Sequence, residues 1–154
     1  MKRDPGLAEL SREHLPALIL AYRLRHGRSS NPAEPWPEDP LAQRSETLVM
    51  VHGELARHFA AEEQFLIPLQ LADPMPAQRV LAEHAQFWQL VSQIEAVSSE
   101  AAETLPPLLC ALGELLEAHI RFEERVWFEQ LQRELAPSVL ADLGRQIEVF
   151  LAQA

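Results

Sequence analysis

Two stretches, His58-Phe59-Ala60-Ala61-Glu62 and His119-Ile120-Arg121-Phe122-Glu123, each set a histidine and a glutamate four residues apart in the middle of an apolar stripe. Positions four apart on a helix are offset by about 40° and rise by about 6 Å, so both side chains of a pair point the same way. Polar residues on a core-facing stripe constrain a fold more than the apolar residues around them. The pattern also repeats: Glu13-His14 precedes the first pair as Glu83-His84 precedes the second. The chain reads as two similar helical hairpins, each giving two histidines and one glutamate. His14 and His58 lie 44 residues apart, His84 and His119 only 35. The segment after Arg28, with Pro32, Pro35, Pro37 and Pro40, reads as a long loop that absorbs the difference.

Helical periodicity dominates the rest, and no alternating β-branched run stands out. Helix one is expected from near Ser11 to Gly27, with stripe Leu7, Leu10, His14, Leu18 and Tyr22, and with Pro16 awkwardly inside it. Helix two is expected from about Leu41 to Leu71, through Leu48, Val51, Leu55, His58, Glu62, Phe65 and Leu69. Helix three follows from about Ala77 to Val97, with stripe Val80, Leu81, His84, Trp88, Val91 and Ile94. Helix four runs from Pro106 and Pro107 to about Leu135, through Leu108, Leu112, Leu115, His119, Glu123 and Val126. A shorter helix, Ser138 to Leu151, covers one side. These elements predict an all-α fold: an antiparallel up-down four-helix bundle with an additional short C-terminal helix. Its core is about residues 10–135, in one domain spanning 1–154. Glu62 would lie roughly 15 Å before the end of helix two and His84 roughly 11 Å after the start of helix three. His84 and His119 would each lie about 20 Å from the connection between helices three and four. His14, His58, Glu62, His84, His119 and Glu123 are thus expected in one layer, as metal ligands.

Burying six ionisable groups without a cation is expensive. Nitrogen and carboxylate donors without sulfur suit iron or manganese, with zinc also fitting. Cys110 is the only cysteine, which excludes an intrachain disulfide and a cysteine-based metal site. It is expected as a small core residue, and its solitude favours a reducing cytoplasm. The net charge of −10 argues against a nucleic-acid partner. No run of eighteen apolar residues suggests a membrane span, and Met1–Leu10 lacks the apolar centre of a signal peptide. Glu13, Glu63, Glu83 and Glu124 each adjoin an expected ligand; turned by about 100°, most should be solvated or should support the ligands from outside. His26 and His52 are expected at the surface, and Phe65, Trp88, Phe122 and Trp127 near the layer.

The order His, His-x-x-x-Glu, His, His-x-x-x-Glu resembles that of hemerythrin-like (HHE) domains, over roughly residues 10 to 135. The resemblance implies a di-iron centre with an oxo, hydroxo or aqua bridge, held by the six residues above, with Glu62 and Glu123 as carboxylates bridging two metals. Oxygen-carrying members have a further histidine four residues after the helix-three ligand. Here that residue is Trp88, whose indole N–H only donates. Trp88 is expected to point into the layer and leave the adjacent metal open to water, oxygen, peroxide or nitric oxide. The implied function is a non-haem di-iron protein that binds or senses oxygen or nitric oxide, or handles iron. A di-iron enzyme acting on peroxide or oxygen, and a metal-free helical interaction module, are the alternatives. No catalytic residue is assigned.

Overall fold

Asp4 and Pro5 start the first helix. The Asp4 carboxylate accepts from the Gly6 N–H at 2.8 Å, and Pro5 occupies the first turn, where no N–H is required. In the computed structural model, which describes residues 2–153, α1 therefore spans Pro5–His26 and begins well before the expected Ser11. Gly27 ends it in the left-handed region, φ 68°, with its N–H donating to the Arg23 carbonyl. Pro16 lies on the exposed side of α1 and does not end it.

Residues 28–39 form the expected irregular connection, and Asp39 caps the next rod by accepting from the Ala42 N–H. That rod is α2 (Pro40–Met50), a wider π turn (Val51–Leu55) and α3 (Ala56–Phe65), with helical dihedrals at both joints. It stops short of the expected Leu71 because Pro68 disfavours helical geometry at Ile67. Helix α4 spans Met75–Ala96. A 3₁₀ stretch, Ser99–Thr104, leads into α5 (Leu105–Phe122), a second π turn (Glu123–Trp127) and α6 (Phe128–Glu134). Helix α7, Pro137–Ala152, completes an all-helical bundle with no strand among the described residues. Helix α1 packs on α5 and α7, α4 on α5, and α3 on α7. Among the described residues no helix is long and apolar enough to cross a membrane.

The buried faces differ from the expected stripes in a regular way. Leu18, Tyr22 and Trp88 are only half-buried, and Leu81 and Val126 are exposed. Ala17, Leu20, Leu24, Phe87, Leu109 and Leu116 take the inward places. A step of four overshoots one 3.6-residue turn, so a run of fours rotates off the core by about 40° per step. The two π turns are the exceptions. Val51, Leu55 and Phe59, and likewise His119, Glu123 and Trp127, keep steps of four and stay buried, because the wider turn accommodates the extra residue.

The core falls into two apolar clusters. One contains Ala17, Leu55, Phe59, Phe87, Leu116 and Ile120; the other contains Leu10, Ala61, Val80, Trp127 and Phe128. On each rod the histidines and glutamates sit where one cluster gives way to the other: His14 between Leu10 and Ala17, His84 between Val80 and Phe87.

Helix α7 closes one side of the second cluster through Leu140, Leu143 and Ile147. Its approach to α1 requires glycine. A Cβ at Gly144 would lie 2.7 Å from the Gly6 Cα, and one at Gly6 would lie 2.1 Å from the Leu140 carbonyl oxygen. Gly144→Ala should therefore destabilise the protein by about 1–3 kcal/mol, the usual cost of overpacking. Thermal unfolding checks this, and an unchanged melting temperature would refute the close contact.

Candidate metal centre

Six buried side chains converge between the two apolar clusters: His14 from α1, His58 and Glu62 from α3, His84 from α4, His119 from α5 and Glu123 from the second π turn. They form two sets. Donor atoms of His14, His58, Glu62 and Glu123 lie within 4.8 Å of one another, and so do those of Glu62, His84, His119 and Glu123. Both carboxylates belong to both sets. The Nε2 atoms face carboxylate oxygens: His14 to Glu123 at 3.2 Å, His119 to Glu123 at 3.3 Å, His84 to Glu62 at 3.3 Å and His58 to Glu62 at 3.5 Å. All four Nε2 atoms and all four carboxylate oxygens are buried without a hydrogen-bond partner.

The other face of each imidazole is fully engaged. Glu13 meets the Nδ1 of His58 at 2.9 Å, Glu63 that of His84 at 3.0 Å, Glu83 that of His119 at 3.0 Å and Glu124 that of His14 at 2.8 Å. Each of these glutamates is the chain neighbour of an inward residue on one rod and reaches the histidine of another, so the four contacts close a ring around the bundle. An ionised carboxylate only accepts, so Nδ1 must donate. A neutral imidazole then presents a bare Nε2 lone pair to the cavity. Four such lone pairs and two carboxylates facing one another repel unless cations lie between them.

Electrostatics report the same strain. Burial and the nearby Glu123 carboxylate push Glu62 well above the ordinary range. Burial opposes ionisation of Glu123 too, but His119 and His14 outweigh it and hold that carboxyl low. Burial disfavours a charge on His14, yet Glu123 and Glu124 overcome it and raise the imidazole to about 9. His84 is driven down to about 3 by burial and the neighbouring His119, and burial also lowers His58. Without metal, protons on His14 and Glu62 take the place of the missing positive charge.

The outer carboxylates differ in their own partners. Glu124 pairs with Arg3 at 2.7 Å and Glu83 with Arg79 at 3.3 Å. Among the described residues no arginine or lysine lies within ion-pair distance of Glu13 or Glu63, whose salt-bridge partners are His58 and His84.

The two halves also differ in their cover. Phe59 stacks on His84 with centroids 4.1 Å apart and meets His119 edge-on at 5.5 Å. Phe87 and Trp88 pack on Phe59 in turn. The His14–His58 half, where Phe128 stacks on His14 at 5.6 Å, also borders a small pocket lined by Glu13, Met50, Glu54, Leu55 and Ile120. This corrects the expectation for Trp88. Its ring contacts are with His52, Phe59 and Phe87; none joins it to His84 among the described residues, and the open side is the other half of the centre.

All six expected ligands are brought together, and Trp127 is fully buried against Phe128 in the second apolar cluster. His26 and His52 are exposed, as expected. Cys110 is half-buried near the Arg25 carbonyl and Glu114 rather than in the core, since it lies off the inward face of α5. The glutamate ring was visible in sequence only as four glutamates adjoining inward residues.

A buried cluster of four imidazoles and two shared carboxylates in a helical bundle defines a cation-binding helical protein. A family profile described as the hemerythrin HHE cation binding domain matches residues 6–131, and the chain belongs to that family. No curated protein and no solved structure matches the chain.

Proposed function

We propose that this protein is a non-haem di-iron protein that binds or senses oxygen or nitric oxide, or handles iron. One ion would be held by His14, His58, Glu62 and Glu123, and the other by Glu62, His84, His119 and Glu123, with both carboxylates shared. The observation that carries this reading is the set of eight buried, unpartnered nitrogen and oxygen atoms aimed at one another. Each unsatisfied buried polar atom costs about 1–3 kcal/mol. Eight of them would consume a stability that is typically only about 5–15 kcal/mol. Two cations satisfy all eight at once. The bridging role of each carboxylate follows from its membership of both sets.

The donor chemistry, nitrogen and carboxylate without thiolate, supports iron, with manganese or zinc as competitors. Bound iron would supply redox chemistry and affinity for small ligands. The chain's own residues do the rest. The four outer glutamates fix each imidazole's tautomer and orientation and raise its basicity. Phe59, packed on His84 and His119, and Phe128, stacked on His14, exclude water around the donors. The pocket at the His14–His58 half is about 10 Å³, about the space one water needs, which favours a diatomic molecule or peroxide over a larger ligand. The arrangement of the first four rods is read as an antiparallel up-down four-helix bundle, with α7 as an addition and the whole chain as one domain. The solitary Cys110 accords with a reducing cytoplasm.

Metal analysis with optical spectra of freshly purified protein tests this reading. About two iron ions per chain are expected. A protein that takes up no metal after exposure to Fe²⁺, Mn²⁺ and Zn²⁺ would overturn it in favour of a metal-free helical module.

A further inference from the structure

We propose that metal ions reach the centre by one route, between α1 and the π turn Val51–Leu55, with Glu148, Glu13 and Glu54 receiving the cation before His14, His58 and Glu123 bind it. The inference rests on the metal-binding reading above and adds where and how the centre is filled.

Two adjoining depressions form the route. The outer one is a surface cleft lined by Glu9, Glu13, Glu148, Leu151 and Ala152. The inner one is the small pocket lined by Glu13 and Glu54 on its outer part and by His14, His58 and Glu123 at its bottom. Glu13 lines both, so the two adjoin at its side chain. The bottom is marked independently of the acidic residues: His14 Nε2, His58 Nε2 and both Glu123 oxygens are buried and without partners there.

The dimensions make the acidic walls necessary. A volume of about 10 Å³ has room for about one water, so a divalent ion entering the inner pocket must leave most of its hydration shell outside. Carboxylates replace those waters with oxygen ligands of the kind such ions prefer. Glu54 is exposed on the π turn and Glu13 is part-buried, and neither has an arginine or lysine within ion-pair distance among the described residues. Glu9 is paired with Arg12, which also feels the charge of Glu148. Arg57, on the neighbouring α3, is held by the carbonyls of Leu151 and Gln153 and does not line the cleft.

Of the other three outer carboxylates, Glu63 has no arginine or lysine partner among the described residues, but Glu124 and Glu83 are guarded. Arg3 covers Glu124 and Arg79 covers Glu83, placing positive charge where a cation would have to pass those carboxylates. At the His84–His119 half, Phe59, Phe87 and Trp88 fill the space beside the rings. A single acidic approach focuses the field and raises the local cation concentration, an effect that salt screens.

The test is the rate at which chelator-stripped protein takes up Co²⁺, followed by optical absorption in a stopped-flow instrument. The double variant Glu54→Gln/Glu148→Gln keeps side-chain length at exposed positions. It should load at least about threefold more slowly at low ionic strength, reach the same final Co²⁺ per chain, and approach the wild-type rate at high salt. Glu103→Gln/Glu114→Gln, the same charge change at exposed positions of the 3₁₀ stretch and α5, should load at the wild-type rate. Met50→Trp narrows the inner pocket without changing charge and should slow loading at high and low salt alike. Full loading of both route variants at the wild-type rate would overturn the route and leave the metal centre standing. No Co²⁺ uptake by the wild-type protein would overturn the centre itself, and the route with it.

Discussion

Glu62→Ala and Glu123→Ala should each lose two-metal occupancy, and no single change elsewhere should have so large an effect. Each carboxylate lies within 4.8 Å of the donors of both sets, so removing either strips a ligand from both ions together. Removing a histidine strips one ion only. The apo fold should survive the Glu62 change, because Glu62 is a burden in the empty site: burial and Glu123 already push its carboxyl toward the neutral form. Loss of metal with a retained helical circular dichroism spectrum is therefore the expected pattern. Glu63→Ala provides the contrast. Glu63 supports His84 from outside at 3.0 Å, and loss of such support typically weakens metal affinity about 10–100-fold without removing a ligand. Two metals per chain should remain at saturating metal. Metal analysis of the three variants decides, and unchanged two-metal stoichiometry in Glu62→Ala would refute bridging.

The helices were legible because apolar periodicity and capping residues mark them locally. Misplaced ends have identifiable causes. Asp4-Pro5 is the capping signal, and the apolar stripe already reaches back from Ser11 to Leu10 and Leu7. Phe65 ends α3 early, so the expected heights of Glu62 and His84 rested on wrong helix ends. The two still meet, with Glu62 Oε1 3.3 Å from His84 Nε2, because the irregular segment 66–74 spans the difference in height. The inward six were legible because four-residue spacing keeps His and Glu on one face within a single turn. The same spacing misled over longer runs, where Trp88 was expected inside and Phe87 took its place.

The glutamate ring shows a different limit. A neighbour of an inward residue points about 100° away, which from one helix alone suggests solvent. In a bundle, the same direction points into the seam with another rod, where the next imidazole exposes its Nδ1. Glu13 and Glu83 precede inward histidines, while Glu63 and Glu124 follow inward glutamates, so the ring repeats the twofold pattern of the sequence. The π turns were not legible at all. They depend on backbone accommodation around buried side chains, and no residue type marks them.

Removing the metal should lower the melting temperature, and by more at pH 9 than at pH 6. Metal bound only to the folded form stabilises by linkage, about 4 kcal/mol for a single site at a thousand times its dissociation constant. For a domain of this size that is roughly 8–16 °C. The pH trend follows from the groups that the metal displaces. His14 in the empty site is raised to about 9, above its ordinary 6.5. Its favourable contribution is therefore complete below pH 6.5 and disappears as pH rises through 9. Glu62, also raised, adds a cost that grows as pH climbs from its ordinary value through its raised one. Bound metal takes the place of both protons, so its affinity rises over the same window as the empty protein weakens. His84 acts on the acid side. Held near 3, it makes the empty protein lose stability as pH falls below 6.5, because the unfolded chain takes up a proton that the folded one refuses. Protons also compete with metal in that range, so the metal-dependent gain shrinks as acid is added. Melting curves with and without chelator at pH 6, 7.5 and 9 measure the trend. Equal melting temperatures would argue for a metal-free module, and a gap that narrows toward pH 9 would show that His14 and Glu62 do not carry the protons that metal replaces.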